Sequence, residues 1–428
     1  MDKLTTQYTP DPLVIAILLS LCVTATAMFF TQSFTRPLHS WDQGFWKLLN
    51  FTLQMAMILL GGYIVATAPV VKKHLILLAE KIKTPRQAIV ITTLLSCSSS
   101  WLNWGFGLVV SAIFAQEVGR QLKTVNYRLL VASSYSGFIL WHGGLSGSIP
   151  LLLNSDKNFS YDLMGRIVPL QETIFSHLNI VLLILVTLSL IMVNTTLHKF
   201  MNNDESHLHI ETNVELDDTP KTPADKLNQS HWIVASICGL GLLALAVKIF
   251  NQGFIADLNN INYLLFFTAL FLQKNIKNFM NSVLKGSQKL GPLLVQYPFY
   301  AGIMTVLSDS GLAQSISNLF ISISNKITLP FFTFLSAGLV NILVPSGGGQ
   351  WAVQGPIIIP AALQLKASVT ATVMAVAWGD AWTNLLQPFW ALPLLAIANL
   401  KIKDILGFCL LNLLVTGIVI SFIFLVMA

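Results

Sequence analysis

His142 and Asp380 are ionisable residues that stand inside otherwise apolar stretches of the sequence. An ionisable side chain in apolar surroundings costs free energy, so it is a candidate for function. An imidazole or a carboxyl group can exchange a proton, and the amide oxygen of Asn384 could help to coordinate Na⁺. These three residues are therefore candidates for binding H⁺ or Na⁺. A hydrogen-bonded structural role is the alternative for His142 and Asp380.

Two further apolar stretches are interrupted by glycines, and an asparagine precedes the glycines in both. Glycine lets the backbone approach a ligand closely, and a helix that begins after it presents free N–H groups at the positive end of its dipole. The alternative is that the glycines only allow helices to pack closely. Their occurrence in two matching places favours an anion site. The candidate substrate-binding residues are Asn103, Gly105, Gly107, Asn341, Ser346, Gly347, Gly348, Gly349 and Gln350.

The composition indicates that most of the chain lies in a lipid bilayer. Of the 428 residues, 54% are hydrophobic and 10% are charged, whereas a soluble domain carries roughly 25% charged residues. Apolar runs of about 20 residues, enough to cross a membrane, recur along the chain. The net charge of +6 does not indicate nucleic acid as a partner, because the basic residues stand in short clusters between apolar runs. The sequence predicts an all-α membrane protein.

About nine transmembrane helices and two re-entrant helical hairpins account for the apolar stretches. The hairpins are expected at about 87–118 and 328–363, where the glycines interrupt the hydrophobic pattern. Two of the spans are also interrupted, around His142 and around Asp380, and paired interruptions of this kind are the best sequence indication of a secondary transporter's binding site. The expected spans are 12–33, 48–70, 126–153, 176–197, 231–250, 261–273, 287–308, 369–398 and 405–427.

The distribution of Lys and Arg supports this topology. If the two broken stretches are hairpins, all but seven of the 25 Lys and Arg residues fall on one side of the membrane, which the positive-inside rule makes cytoplasmic. The N-terminus is then cytoplasmic and the C-terminus periplasmic, and the hairpins enter from opposite faces. The seven exceptions are Arg36, Lys47, Lys157, Arg166, Lys248, Lys326 and Lys366.

The two halves of the chain resemble each other weakly and in the same order, which predicts an inverted repeat. Segment 131–152 matches 374–395, and Leu102-Asn103 matches Val340-Asn341 at nearly the same spacing. We therefore divide the chain into a first repeat at 1–200, a cytoplasmic linker at 201–229, and an extra span with the second repeat at 230–428. A homodimer is compatible with this plan, although the sequence indicates no interface.

Enzyme chemistry is not indicated. The sequence contains no ATP-binding loop, no His-Glu-x-x-His metal motif and no nucleophile elbow. We therefore expect no catalytic residues, no metal and no cofactor, and transport would be driven by an ion gradient. No Lys or Arg lies in the core of a predicted span, so an anion would have to be bound by backbone amides and neutral side chains.

Three segments resemble the bacterial short-chain fatty acid transporter family of the AtoE type: Asn103-Trp104-Gly105-Phe106-Gly107, Val344-Pro345-Ser346-Gly347-Gly348-Gly349-Gln350-Trp351 and Gln387-Pro388-Phe389-Trp390. The resemblance covers nearly the whole chain outside the linker. It implies uptake of short-chain fatty acids such as butyrate or acetoacetate across the bacterial inner membrane. It supplies no binding residues.

The leading hypothesis is therefore a cation-coupled symporter of short-chain monocarboxylates. A carrier of dicarboxylates or other organic anions would keep the same architecture, but it should have an additional cationic residue in its core. A channel or a membrane-embedded enzyme is a more remote alternative. The sequence does not decide between H⁺ and Na⁺ as the coupling ion.

Overall fold

The computed structural model describes residues 12–154, 159–200, 222–253, 258–288, 290–343 and 347–427, and the regular structure within these ranges is entirely helical. The prediction of an all-α protein is confirmed. Most of the predicted linker, residues 201–221, lies outside the described residues, as does Ser346.

The α-helices, numbered in chain order, are α1 (Pro12–Thr31), α2 (Thr35–Phe45), α3 (Leu49–Thr67), α4 (Pro69–Glu80), α5 (Pro85–Leu102), α6 (Trp104–Gln121), α7 (Tyr127–Ser136), α8 (Ser148–Leu153), α9 (Phe159–Met164), α10 (His177–Phe200), α11 (Pro223–Asn228), α12 (His231–Gln252), α13 (Leu258–Gln273), α14 (Ile276–Ser287), α15 (Gly291–Ser310), α16 (Leu312–Ser322), α17 (Leu329–Leu343), α18 (Gly347–Gln364), α19 (Val369–Thr383), α20 (Pro388–Ala398) and α21 (Ile402–Met427). Short 3₁₀ helices occupy Gly137–Gly143, Leu170–Glu172 and Asn384–Leu386.

Each predicted span coincides with a helix or with a broken helix. By length and composition, three described helices are able to cross a membrane: α10, α12 and α21. The predicted spans 126–153 and 369–398 each consist of two α-helices joined through a 3₁₀ segment, α7 to α8 and α19 to α20. Both interruptions therefore occur where the sequence indicated them, while the total of nine crossings stays a prediction.

The first predicted hairpin consists of α5 and α6, which pack against each other and are joined by Asn103. Gly107 lies directly against Ser100, so a side chain at Gly107 would overlap the backbone of α5. Helices α17 and α18 form the corresponding pair in the second half, and they are also in contact. Re-entry of either pair from one face of the membrane stays a prediction.

Loops and span ends that were predicted to share a side of the membrane lie together. Arg36 donates a hydrogen bond to the carbonyl of Asp309 at 2.9 Å, and Lys248 donates to Asn260 at 2.6 Å. On the opposite predicted side, the Tyr127 hydroxyl donates to the carbonyl of Ala398 at 2.9 Å. These contacts agree with the predicted grouping of loops, and the cytoplasmic identity of one group stays a prediction.

Buried amides join the last helices of the two halves. Asn412 of α21 donates to the Asn194 side chain of α10 at 2.9 Å, and Asn194 donates to the Ser136 hydroxyl at 3.1 Å. Both asparagines are fully buried. A polar side chain in an apolar interior needs a partner, so each asparagine restricts how the other's helix can pack. Near the end of α6, Glu117 and Arg120 form an ion pair at 2.7 Å.

Candidate functional site

The two ionisable residues that the sequence pattern singled out, His142 and Asp380, form a contact in the structure. Nδ1 of His142 lies 2.6 Å from Oδ2 of Asp380, and both side chains are fully buried. His142 comes from the 3₁₀ break between α7 and α8, and Asp380 comes from the end of α19. Each interrupted helix thus contributes one member of the pair.

The other nitrogen of the imidazole is also occupied. Nε2 of His142 accepts the backbone N–H of Ile149 at 3.1 Å and lies 3.1 Å from the hydroxyl of Ser148. These two residues begin α8, so the chain folds back after the glycine-rich break and places the start of α8 on the ring. Both ring nitrogens of His142 are therefore hydrogen-bonded, which fixes the orientation of the ring.

Asp380 is positioned by close packing of α19 on α17. A Cβ at Gly379 would lie 2.5 Å from the carbonyl oxygen of Phe334, so the absence of a side chain allows the two helices to approach. Asn341 of α17 donates to the carbonyl of Asp380 at 2.7 Å and to the hydroxyl of Thr383 at 2.9 Å. Asn341, a candidate for substrate binding, thus supports the backbone next to the carboxylate. Oδ1 of Asp380 is buried without a hydrogen-bond partner.

The glycines that begin α18 lie beside this pair. A Cβ at Gly347 would be 2.6 Å from Cε1 of His142 and 2.5 Å from the hydroxyl of Ser148, whereas one at Gly348 would have nothing within 4 Å. Gly348 and Gly349 are partly exposed. Gln350, a candidate for substrate binding, donates to the carbonyl of Ala337 at 2.8 Å, so its side chain links α18 to α17.

The glycines near the start of α6, at the tip of the first predicted hairpin, are more closely packed than those that begin α18. A side chain at Gly105 would overlap Ile58 of α3, just as one at Gly107 would overlap α5. Oδ1 of Asn103 accepts the N–H of Phe106 at 2.9 Å, and the N–H of Trp104 donates to the Ser146 hydroxyl at 3.0 Å. The expectation that the backbone N–H groups at this tip are free is therefore wrong for Phe106 and Trp104. Asn103 caps α6 by accepting the first, and Ser146 accepts the second. The structure does not bring Asn103 to the His142–Asp380 pair through any hydrogen bond among the described residues.

Asn384 lies across the interface between the two breaks. Its side-chain oxygen accepts the indole N–H of Trp141 at 2.9 Å, and its carbonyl accepts the Tyr135 hydroxyl at 2.6 Å. Trp141 and Asn384 occupy corresponding positions in the two matched sequence segments. A two-fold relation between repeats brings equivalent residues near its axis into contact, so this hydrogen bond favours the inverted repeat.

A network of hydrogen bonds continues from Asn384 to the ionisable pair. The Asn384 amide donates to Gln387 at 3.3 Å, and Gln387 donates to the carbonyl of Asn341 at 2.6 Å. Asn341 in turn contacts the backbone of Asp380. The three coupling-ion candidates, together with Asn341, are thereby linked in one buried region of the protein.

Aromatic rings surround the same region. The ring of Trp141 stacks on His142 with centroids 4.1 Å apart, and Trp390 lies 5.9 Å from Trp141 and 5.5 Å from both Phe138 and Trp104. These are ordinary spacings for aromatic contacts. Trp104, Trp141 and Trp390 therefore form one aromatic cluster beside the first break.

Sequence reasoning missed Asn179 of α10. This fully buried amide donates to the carbonyl of Gly143 at 2.9 Å and accepts the indole N–H of Trp378 at 2.9 Å. It thus connects the backbone of one break to the helix that leads into the other. A lone asparagine inside an apolar run was the available signal. Gln387 stood out in the sequence only as the first residue of the segment Gln387-Pro388-Phe389-Trp390, which indicated no role for its side chain.

A family model described as "Short chain fatty acid transporter" matches residues 1–427. A protein of Escherichia coli (strain K12), provisionally described as a short-chain fatty acid transporter, is 38% identical over 98% of this chain and 96% of its own. One from Haemophilus influenzae with the same description is also 38% identical, over 97% and 96%.

Two solved transporters are similar over nearly their whole length. The YdaH transporter of Alcanivorax borkumensis has 15% identity and a TM-score of 0.47, with 96% of this chain and 98% of that chain covered. MtrF of Neisseria gonorrhoeae, described as illuminating a class of antimetabolite efflux pumps, has 13% identity and a TM-score of 0.42, with 98% and 96% covered.

Proposed function

The chain belongs to the short-chain fatty acid transporter family and is a multi-pass membrane transporter rather than an enzyme, and on that premise we propose that it takes up short-chain monocarboxylates by cation-coupled symport. Butyrate and acetoacetate are the expected substrates, and the bacterial inner membrane is the expected location. The observation that supports this proposal most strongly is the buried contact between His142 and Asp380 beside Gly347.

The surroundings of this contact suit a small acid with a short apolar tail. Gly347, Gly348 and Gly349 offer backbone without side chains at the start of a helix, where the dipole favours an anion. Trp141 and Trp390 offer aromatic faces for the tail. The carboxylate would bind at the glycines and the tail would lie against the rings.

The charge of the site favours a substrate with one carboxylate over a substrate with two. Among the described residues, the buried charged or ionisable side chains that are not aromatic or thiol groups are Glu117, His142 and Asp380, with no buried Lys or Arg. A second substrate carboxylate would have no cationic side chain to compensate its loss of hydration. Monocarboxylates are therefore the better substrate class, and dicarboxylates the poorer one.

Cation coupling follows from the same electrostatics. An ionised Asp380 would repel a substrate carboxylate bound nearby, because two like charges interact strongly where water is excluded. A cation bound at Asp380 would remove this repulsion, so cation and substrate would each strengthen the binding of the other. His142, Asp380 and Asn384 are the candidate coupling residues, and H⁺ and Na⁺ are the candidate ions.

An exchange experiment tests the substrate class. Purified protein in liposomes is loaded with unlabelled acetoacetate, and entry of labelled acetoacetate is measured while butyrate, hexanoate, succinate or glutamate competes outside. The proposal expects saturable exchange that butyrate inhibits and succinate does not. Exchange that only dicarboxylates inhibit, or its absence while another solute is moved, would contradict the proposed substrate class.

A further inference from the structure

The hydrogen bonds of His142 define where its proton is. The backbone N–H of Ile149 can only donate, so Nε2, 3.1 Å away, must be an acceptor and carries no hydrogen. A neutral imidazole has one N–H, which then belongs to Nδ1. Nδ1 therefore donates to Oδ2 of Asp380 at 2.6 Å, and an imidazolium is incompatible with this arrangement.

The same bonds define which oxygen of Asp380 is open. Oδ2 accepts the proton of Nδ1, while Oδ1 is buried and has no hydrogen-bond partner. A buried carboxylate oxygen without a donor is costly, and in membrane proteins such groups mark ion pathways. A proton can bind to Oδ1 without breaking any bond of the pair. Protonation of Nε2 would instead displace the N–H of Ile149.

We propose that the coupling ion is a proton and that it binds at Oδ1 of Asp380, with His142 remaining neutral as the positioning residue. The inference rests on the proposed function and refines it. One open carboxylate oxygen meets the requirement of a proton, whereas Na⁺ needs several oxygen ligands.

No other ionisable group in the described residues is hydrogen-bonded to this pair. The elements that contact it, α8, α17 and α18, contain no ionisable side chain, and neither does α19 apart from Asp380. The neighbouring α5, α7 and α21 bring the buried Cys97, Tyr135 and Cys409. Charged or basic residues of the adjacent helices stand near helix ends, namely Arg86, Glu117, Arg120, Arg128, His177, His198, Lys199, Lys403 and Asp404.

The transport cycle that results moves no net charge. The empty carrier holds the negative charge of Asp380, and the loaded carrier holds the negative charge of the substrate beside a neutral carboxyl group. One proton and one monocarboxylate therefore cross together. Release of the proton restores the charge on Asp380, which then repels the substrate and favours its release.

Variants of the two residues test the assignment in proteoliposomes. Labelled acetoacetate is used because it is more polar than butyrate and leaks more slowly through lipid. Initial uptake above that of protein-free liposomes is measured without Na⁺ at neutral and acidic external pH, and exchange is measured at equal pH on both sides. In the wild type, external acid should accelerate uptake, and clamping the membrane potential should not change it.

Asp380→Asn should lose the acceleration by acid, so that lowering the external pH raises its uptake no more than it raises uptake into protein-free liposomes. The amide oxygen of the new asparagine can still accept the Nδ1–H of His142. Its NH₂ group takes the place of the protonated Oδ1. His142→Gln should keep the acceleration of uptake by acid. Its neutral side-chain amide offers an N–H donor and an oxygen acceptor, as the neutral imidazole offers Nδ1–H and Nε2. If Asp380→Asn loses exchange as well, Asp380→Glu decides: a retained response to acid supports the proposal, and its absence overturns it.

Three results would overturn the assignment while leaving the proposed function intact. They are acid-stimulated uptake by Asp380→Asn, loss of the acid response by His142→Gln with exchange retained, and a strict requirement for Na⁺. Absence of short-chain acid exchange by the wild type would instead refute the proposed function, and the assignment with it.

Discussion

Gly347 lies so close to His142 that a single methyl group between them would be 2.6 Å from Cε1 of the ring. This contact joins the start of α18, in the second half of the chain, to the break between α7 and α8 in the first. The backbone that we propose to bind the substrate carboxylate is therefore adjacent to the pair that we propose to bind the proton.

Gly347→Ala should reduce short-chain acid exchange by at least about tenfold, because displacement of a binding group by as little as 1 Å can have effects of this size. Gly239→Ala, at an exposed position of α12, is the matched control, since a Cβ there meets nothing within 4 Å. It should keep exchange within about twofold of wild type. Exchange is measured in proteoliposomes after both variants are shown to elute as folded protein. Equal activity of the two variants would show that the contact at His142 has no role.

Trp390→Ala should shift the preference for chain length towards longer acids. Removal of the indole leaves space beside Trp141 and Phe138, and each additional buried CH₂ is worth about 0.8 kcal/mol. Hexanoate, with two more carbons than butyrate, should then compete about tenfold better relative to butyrate than it does in the wild type. The measurement is competition against labelled acetoacetate exchange.

Trp232→Ala is the control for that variant, because Trp232 on α12 is 83% exposed. Its ratio of hexanoate to butyrate competition should equal that of the wild type. A ratio that is unchanged in Trp390→Ala as well would place the substrate tail away from the aromatic rings around Trp141.

Asn412→Ala should lower thermal stability in detergent, because it removes the donor to Asn194 and leaves that buried oxygen without its partner. Loss of a buried hydrogen bond costs about 1–3 kcal/mol when one group remains unsatisfied. A double-mutant cycle with Asn194→Ala should give a coupling of about 0.6 kcal/mol, the average for such bonds in membranes. Asn228→Ala, at an exposed position, should leave the melting temperature unchanged. Additive effects in the cycle would contradict the proposed link between α10 and α21.

The positions of the helices were predictable from sequence because hydrophobic runs and their interruptions are local features. The glycine breaks and the apolar runs therefore coincide with the observed helices and their ends. The candidate residues His142 and Asp380 were also predictable, since each stands alone in apolar sequence. Their contact was not, because it depends on packing between segments from opposite halves of the chain.

The roles of the asparagines could not be read from the sequence for a different reason. An Asn before a helix is equally suited to cap that helix and to bind a ligand, and only the observed partners distinguish these functions. Asn103 caps α6, and Asn341 supports the backbone of Asp380. Asn179 connects both breaks but follows no motif, so nothing marked it beyond its polarity.

Uptake of labelled acetoacetate by the purified wild-type protein in liposomes, under an imposed H⁺ or Na⁺ gradient, tests the central claim most directly. Cation-coupled symport predicts saturable uptake above that of protein-free liposomes, faster with an inward gradient of one of the two ions than with none, and inhibited by butyrate. Uptake that neither gradient accelerates, or that succinate inhibits and butyrate does not, would contradict it.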